Sequence, residues 1–146
     1  MIREGKKEDL PRVLDLIREL AEFEKAPDQV EMTLEQLEKD GFGKRQLYGL
    51  LVAENGRGII GISLYYFRYS TWKGKRLYLE DIIVTASERG NGAGKMLFDS
   101  TVQKAREENC SGMAWQVLDW NKEAITFYEK QGATFDGEWI NCALDL

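Results

Sequence analysis

Hydrophobic residues near the start of the chain follow a helical period. Between residues 8 and 21 apolar positions recur every three or four residues, as in an amphipathic helix: Leu10, Val13, Leu14, Ile17, Leu20 and Ala21. Pro11 falls in the first turn of this helix, where proline is tolerated. Thr33 followed by Gln36 is a capping-box pattern and predicts the start of a second helix. A short strand at Met1–Arg3 is predicted to precede both helices.

The pattern changes from helices to strands after residue 46. Leu47–Glu54, Gly58–Tyr69 and Arg76–Thr85 are predicted as three consecutive strands, the first two joined by a turn at Asn55–Gly56. A helix at Gly92–Asn109 follows the third strand. Beyond that helix the pattern predicts a strand, a helix and a last strand, at Gly112–Leu118, Asn121–Gln131 and Trp139–Leu144.

The predicted order of elements is β-α-α-β-β-β-α-β-α-β. An antiparallel meander followed by one parallel crossover does not suit a doubly wound sheet, which alternates strand and helix from its start. We therefore predict an α/β (α+β) fold with a mixed, mostly antiparallel sheet and helices on both faces. The length of 146 residues fits a single domain spanning residues 1–146.

Composition excludes several classes of function. The formal net charge is −5, so the chain has no basic field to hold nucleic acid or an acidic membrane, and cationic substrates are favoured. Histidine is absent, which removes Ser-His and Cys-His nucleophiles and histidine zinc sites. Cys110 and Cys142 have no C-x-x-C partner and are expected to be reduced thiols. Because no long apolar segment is present, we expect a soluble, cytoplasmic protein.

A glycine-rich turn behind the third strand of the meander carries the clearest chemical signal. Gly90, Gly92 and Gly94 stand at a helix N-terminus, where exposed N–H groups and the helix dipole favour phosphate. The turn does not match G-x-G-x-x-G, because Lys95 or Leu97 occupies the third glycine position. It does not match G-x-x-x-x-G-K-[ST] either. A flexible turn without a ligand is the alternative.

The run from Arg89 to Gly94, R-x-x-G-x-G, resembles the coenzyme A pyrophosphate loop of the GNAT superfamily of N-acetyltransferases. Six segments resemble the diamine acetyltransferases, and most closely their thialysine Nε-acetyltransferase branch: ELAEFEKAPDQV, DGFG, LVAE, YYFRYSTWKGK, YLEDIIV and LDWN. The resemblance implies the GNAT fold, acetyl transfer from acetyl-CoA directly to a primary amine of a small molecule, coenzyme A as product, no metal, and a homodimer.

The resemblance also implies which residues hold the donor. Ile82, Ile83 and Val84 are similar to the strand segment that pairs with pantetheine. Tyr128 is similar to the family's general acid, which contacts the cofactor and protonates the coenzyme A thiolate, although a core aromatic is the alternative. The residues implied to hold the pyrophosphate are Arg89, Gly90, Asn91, Gly92, Ala93, Gly94 and Lys95. Those implied to line the pantetheine arm are Asn121, Lys122, Glu123 and Ala124.

The acceptor amine must lose a proton before it attacks a thioester. An alkyl ammonium like that of lysine has a pKa near 10.4, so forming the neutral amine costs roughly 4.6 kcal/mol at pH 7. Glu80 is the first candidate for the proton acceptor, directly or through ordered water, because it lies on the strand beside the expected thioester. Asp81 is the second, and strand alternation predicts that the two side chains lie on opposite sheet faces. Polar residues on a solvated sheet face are the alternative.

Substrate choice depends on an aromatic and acidic set of residues. Ser70 stands where diamine acetyltransferases carry an acidic residue, which favours a shorter amine, and the thialysine branch has the same YSTWKG run. Aromatic rings can bind an ammonium with about 0.5 to 2 kcal/mol. Three alternatives stay open: a polyamine acceptor, a protein amine, and an acetyl-CoA sensor without catalysis. The substrate-binding candidates are Phe23, Glu24, Ser70, Trp72, Asp81, Glu138 and Trp139.

Overall fold

The computed structural model describes all 146 residues, which form two compact units, Met1–Trp115 and Gln116–Leu146. The second unit contains one helix, α4 (Lys122–Lys130). None of the helices is long and apolar enough to cross a membrane. The first unit contains, in chain order, β1 (Ile2–Glu4), α1 (Leu10–Phe23), α2 (Leu34–Phe42), β2 (Gly49–Asn55), β3 (Gly58–Ser70), β4 (Gly74–Val84), α3 (Ala93–Glu107) and β5 (Met113–Ala114).

The five strands form one sheet in the order β1-β2-β3-β4-β5. All neighbouring pairs are antiparallel except β4 and β5, which confirms the predicted mixed, mostly antiparallel sheet. The parallel pair is short, joining Leu77 to Met113 and Tyr78 to Ala114. From residue 79 to residue 84 the β5 side of β4 therefore has no strand partner.

Helices cover both faces of the sheet, as predicted. α3 lies on one face, where the hydroxyl groups of Ser63 on β3 and Thr101 on α3 are 2.6 Å apart and fully buried. Residues on either side of Ser63 point to the other face, against α1 and α2. The apolar side chains of the sheet and the two helices form a core on this second face, and their removal from water stabilises the fold. The buried residues of this core are Leu10, Val13, Leu14, Leu16, Leu37, Leu50, Val52, Ile62, Leu64 and Ile83.

The predicted helix starts are confirmed, with one difference in detail. Pro11 lies in the first turn of α1. The Thr33 hydroxyl accepts a 3.1 Å hydrogen bond from the Gln36 backbone N–H and caps α2. The Gln36 side chain does not return to Thr33, because its amide donates to Asp40 at 2.9 Å. Only one half of the capping box therefore forms.

Two predicted strands near the end of the chain are wrong in length or existence. The strand expected at Gly112–Leu118 is limited to Met113–Ala114, and the segment expected as a strand at Trp139–Leu144 forms none. A strand requires ladder hydrogen bonds from a neighbouring strand, which the apolar pattern of this segment does not supply by itself. Trp139 and Ile140 are accordingly 73% and 87% exposed. The observed order ends at α4, without the final β.

Candidate active site

A β-bulge interrupts the regular pairing in the middle of β4. Leu64 on β3 lies opposite Asp81, whereas the next residue, Tyr65, lies opposite Leu79. Glu80 is therefore an extra residue that has no counterpart on β3. A bulge breaks the alternation of side chains and re-aims those next to it.

The bulge places Glu80 and Asp81 on the same face of the sheet. Leu64 belongs to the core beneath α1 and α2, and Asp81, directly opposite it, shares that face. Tyr66 follows Leu64 by two residues on the same face, and its hydroxyl donates a 3.1 Å hydrogen bond to Oε1 of Glu80. The prediction that the two carboxylates lie on opposite faces is therefore wrong.

Glu24 adds a third carboxylate to this group, which we call the acidic group (Glu24, Glu80 and Asp81). Burial, together with the negative charges of Glu80 and Glu24, raises the pKa of Asp81 to about 6. Burial also raises the pKa of Glu24, which follows the last residue of α1. Burial disfavours the ionised forms of Asp81 and Glu24, and a bound ammonium would favour them. The acidic group is therefore suited to a cationic amine.

Two tyrosines line the sheet beside the acidic group and were not found by sequence reasoning. The Tyr66 and Tyr78 rings lie with their centroids 5.3 Å apart. Burial, the charge of Glu80 and the hydrogen bond to it raise the pKa of Tyr66 to about 12. The Arg68 guanidinium carbon lies 4.9 Å from the centroid of the Tyr78 ring. The alternation of these residues along β3 and β4 was the available signal.

The glycine turn forms an open, left-handed entry to α3. Gly90 and Gly92 have φ values of +85° and +82°, and a Cβ at either position would meet no atom within 4 Å. The first hydrogen bond of α3 runs from Met96 N–H to the Gly92 carbonyl at 3.0 Å. The preceding helical N–H groups have no acceptor within the helix, and they belong to Ala93, Gly94 and Lys95. This geometry fits a phosphate.

The side chain of Arg89, at the start of the glycine turn, contacts the end of β4 and the end of α1. Its Nε donates to the Val84 carbonyl at 2.8 Å, and its guanidinium carbon lies 5.3 Å from the centroid of the Phe23 ring. The Glu19 carboxylate on α1 also accepts a 2.9 Å bond from the Thr85 hydroxyl. The end of β4 is thus tied to α1, which carries Phe23 and then Glu24 at its end. The Phe23 ring contacts Arg89 in this way and remains 39% exposed.

Two other loop and hairpin candidates make contacts of their own. Lys95 Nζ lies 2.6 Å from an Asp99 carboxylate oxygen, in an exposed pair one turn apart on α3. Ser70 Oγ accepts hydrogen bonds from the backbone N–H groups of Trp72 at 3.2 Å and Lys73 at 3.1 Å. Ser70 therefore orders the turn between β3 and β4.

The hairpin tip lies far along the sheet from the acidic group. Trp72 is 84% exposed at this tip. From Gly74, where β4 begins, to Glu80 the strand rises by roughly 20 Å at about 3.3 Å per residue. Within one chain, the structure therefore does not bring Ser70 and Trp72 to Glu80.

The second unit holds the remaining cofactor candidates. Asn121 precedes α4, and its Oδ1 accepts a 3.2 Å bond from the Ala124 backbone N–H. This leaves the Asn121 amide NH₂ for a ligand. Lys122 and Glu123 lie in the first turn of α4. Tyr128 lies near the end of the same helix and is buried.

Glu138 and Trp139 lie together in the irregular segment after α4. The backbone N–H of Glu138 donates to one Asp136 carboxylate oxygen at 3.0 Å, and Nε1 of Trp139 donates to the other at 2.9 Å. Asp136 therefore organises both candidate residues, leaving the Trp139 ring largely exposed.

Comparison with known proteins points to one family. The profile described as the acetyltransferase (GNAT) family matches residues 11–133. The bovine thialysine N-epsilon-acetyltransferase is 46% identical, with 91% of this chain and 83% of the relative covered. The mouse protein of the same name is 42% identical, covering 90% and 82%. The human spermidine/spermine N(1)-acetyltransferase-like protein 1 is 38% identical over 90% of this chain and 20% of its own length.

Solved structures agree on the fold. An aminoglycoside acetyltransferase from an uncultured soil metagenomic sample, in complex with sisomicin, has a TM-score of 0.80 at 20% identity, covering 100% of this chain and 95% of that one. A ribosomal-protein-alanine N-acetyltransferase from Brucella melitensis has a TM-score of 0.75 at 21% identity, covering 100% and 98%. At this identity the likeness shows the shared fold alone.

Proposed function

The chain belongs to the acetyltransferase (GNAT) family, and from this premise we propose that it transfers acetyl from acetyl-CoA to a thialysine or lysine-like amine of a small molecule. The observation that carries the proposal is the acidic group on one sheet face, at the point where β4 loses its β5 partner. A cationic amine and an extended donor arm would meet there. Relatives 42 to 46% identical that are named for thialysine support this choice of acceptor.

The residues at the glycine turn and on β4 fit the donor. Acetyl-CoA supplies the acetyl group as an activated thioester. The open turn and the free N–H groups at the start of α3 suit its pyrophosphate, and we assign that role to Arg89–Lys95. The unpaired side of β4 at Ile82–Val84 offers backbone groups to the pantetheine arm. Asn121–Ala124 are assigned to the same arm from the family resemblance.

Proton transfer is assigned to two side chains. Glu80 accepts the proton of the bound ammonium, directly or through water, because it lies on the face that attracts the amine and is oriented by Tyr66. Tyr128 donates a proton to the departing thiolate, a role taken from the family resemblance. Asp81 and Glu24 stabilise the ammonium before it is deprotonated.

Several further features are part of the proposal. The protein is a single N-acetyltransferase domain and works in the cytoplasm as a homodimer, without a metal ion and without nucleic acid as partner. The exposed Trp72, remote from the acidic group of its own chain, supports a second copy in the working enzyme. Ser70, Glu138 and Trp139 complete the amine-binding set by resemblance.

An amine panel tests this function. The protein is assayed for thiol release from acetyl-CoA with thialysine, lysine, putrescine and spermidine. We expect thialysine or lysine to be turned over fastest, and Tyr128→Phe to bind acetyl-CoA while losing most turnover. Preference for polyamines would contradict the proposal of a thialysine or lysine-like acceptor. Full turnover by Tyr128→Phe would contradict the role of Tyr128 as the proton donor. No turnover with any amine would favour an acetyl-CoA sensor.

A further inference from the structure

The acidic group has a cationic counterpart on the same face of the sheet. Arg68 follows Tyr66 by two residues on β3 and therefore shares its face. The Arg68 guanidinium lies over the Tyr78 ring, which in turn lies against the Tyr66 ring. The Tyr66 hydroxyl donates a hydrogen bond to Glu80. The order along the face is Arg68, Tyr78, Tyr66, Glu80.

Arg68 is not neutralised by any carboxylate of the chain. It is exposed, and the ion pairs of the structure do not include it. Arg76 lies directly opposite Arg68 in the sheet and is likewise unpaired, although it donates a 3.1 Å bond to the Met113 carbonyl. Like charges at opposite positions destabilise a sheet. An anionic group bound at the Arg68 guanidinium would offset this repulsion, and the planar fork suits a carboxylate.

The spacing between the two charged ends suits one class of acceptor. Tyr78, beneath the guanidinium, precedes Glu80 by two residues, and Arg76, opposite Arg68, precedes it by four. At about 3.3 Å per residue the guanidinium lies roughly 7 to 13 Å from Glu80. An extended lysine-like amino acid, with a hydrogen bond at each end, spans a distance in this range.

We propose that Arg68 binds the α-carboxylate of an amino-acid acceptor whose side-chain amine lies at the acidic group. This inference rests on the proposed function and narrows its substrate to amino acids with a terminal amine. A polyamine of similar length would place a second ammonium beside Arg68, where the two positive charges repel each other. Arg68 would therefore select for the carboxylate and against a diamine.

Matched substrates and variants test the assignment. The first substrate is thialysine or lysine, whichever is turned over faster. The second substrate, for comparison, is the diamine that differs from the first only by lacking its carboxyl group. kcat and KM for both amines are measured with Arg68→Gln, Arg68→Lys and the control Lys73→Gln. Lys73→Gln removes one charge from the same hairpin, at an exposed position in the turn between β3 and β4.

The expected result is selective. Arg68→Gln should lower kcat/KM for the amino acid roughly 10- to 100-fold, mainly through KM, because a charge-assisted pair is lost. The diamine should be turned over as well as before or better, which also shows that the variant is folded. Arg68→Lys should fall between, and Lys73→Gln should change both amines by less than about twofold.

Four results would count against the assignment, and the last also counts against the proposed function. An equal loss for both amines, or the same selectivity in Lys73→Gln, overturns the role of Arg68 and leaves the acetyltransferase function intact. Unchanged amino-acid kinetics in Arg68→Gln does the same. Absence of turnover by the unaltered protein with either amine overturns the proposed function and this inference together.

Discussion

The Tyr66 hydroxyl lies 3.1 Å from Oε1 of Glu80, the extra residue of the bulge in β4. The Tyr66 ring is held in turn by the Tyr78 ring, with the centroids 5.3 Å apart. Glu80 is itself exposed, so the hydrogen bond from Tyr66 is what orients its carboxylate. Catalysis that depends on Glu80 should therefore depend on Tyr66 as well.

Tyr66→Phe should lower kcat for the amine roughly tenfold, the effect expected from loss of one hydrogen bond to a charged group. KM for acetyl-CoA should not change, because the glycine turn is untouched. Tyr78→Phe is the matched control, since it keeps the ring contact and removes a hydroxyl that donates no hydrogen bond to Glu80. Steady-state kinetics with both substrates varied measures the effect, and equal losses in the two variants would contradict a specific role for Tyr66.

Glu80→Gln should lower the acetylation rate most at low pH. The amine is more fully protonated there, and its pKa near 10.4 makes a proton acceptor more important as the pH falls. The measurement is kcat/KM for the amine from about pH 6 to 10 in the variant and the unaltered protein. Glu35→Gln, an exposed change on α2, is the control. A constant ratio across the range would rule out Glu80 as the proton acceptor.

Asp81→Asn should stabilise the protein at neutral pH. The pKa of Asp81 is raised from 3.8 to about 6 on folding, so its contribution to stability is full below about pH 4 and is lost as the pH rises through about 6. At about pH 7.5 the variant should gain up to about 3 kcal/mol in unfolding free energy, and near pH 4 the difference should disappear. Urea unfolding at the two pH values measures this. A variant that is less stable than the unaltered protein at both pH values would contradict the raised pKa of Asp81.

Gly92→Ala should weaken acetyl-CoA binding and destabilise the fold by about 1 kcal/mol, because a Cβ is strained at φ +82° even where space is open. Gly56→Ala is the control, since its Cβ would also meet nothing within 4 Å and its φ lies outside the left-handed region. Calorimetric titration with acetyl-CoA and thermal unfolding measure the two effects. Equal behaviour of the two variants would contradict a specific role for the Gly92 conformation.

Local patterns were sufficient where local physics controls the structure. The helical spacing of Leu10 and its neighbours placed α1, and Thr33 placed the start of α2, because capping involves residues close together in the chain. The last strand was predicted wrongly at Trp139–Leu144 for the opposite reason. Its apolar residues suit a strand, but strand formation depends on a hydrogen-bonded neighbour that no local pattern can supply.

The amino-acid sequence by itself determined the family, the order of most elements and the glycine turn, because spacing, glycine conformation and segment similarity are properties of the chain. Only the tertiary structure decided that Glu80 and Asp81 share a face and that Arg68 lies along the same face. These relationships depend on the register between β3 and β4 and on a bulge within it. A shift of one residue turns a side chain to the other face, so hydrogen bonds between the strands, rather than the pattern along either one, determine which groups meet.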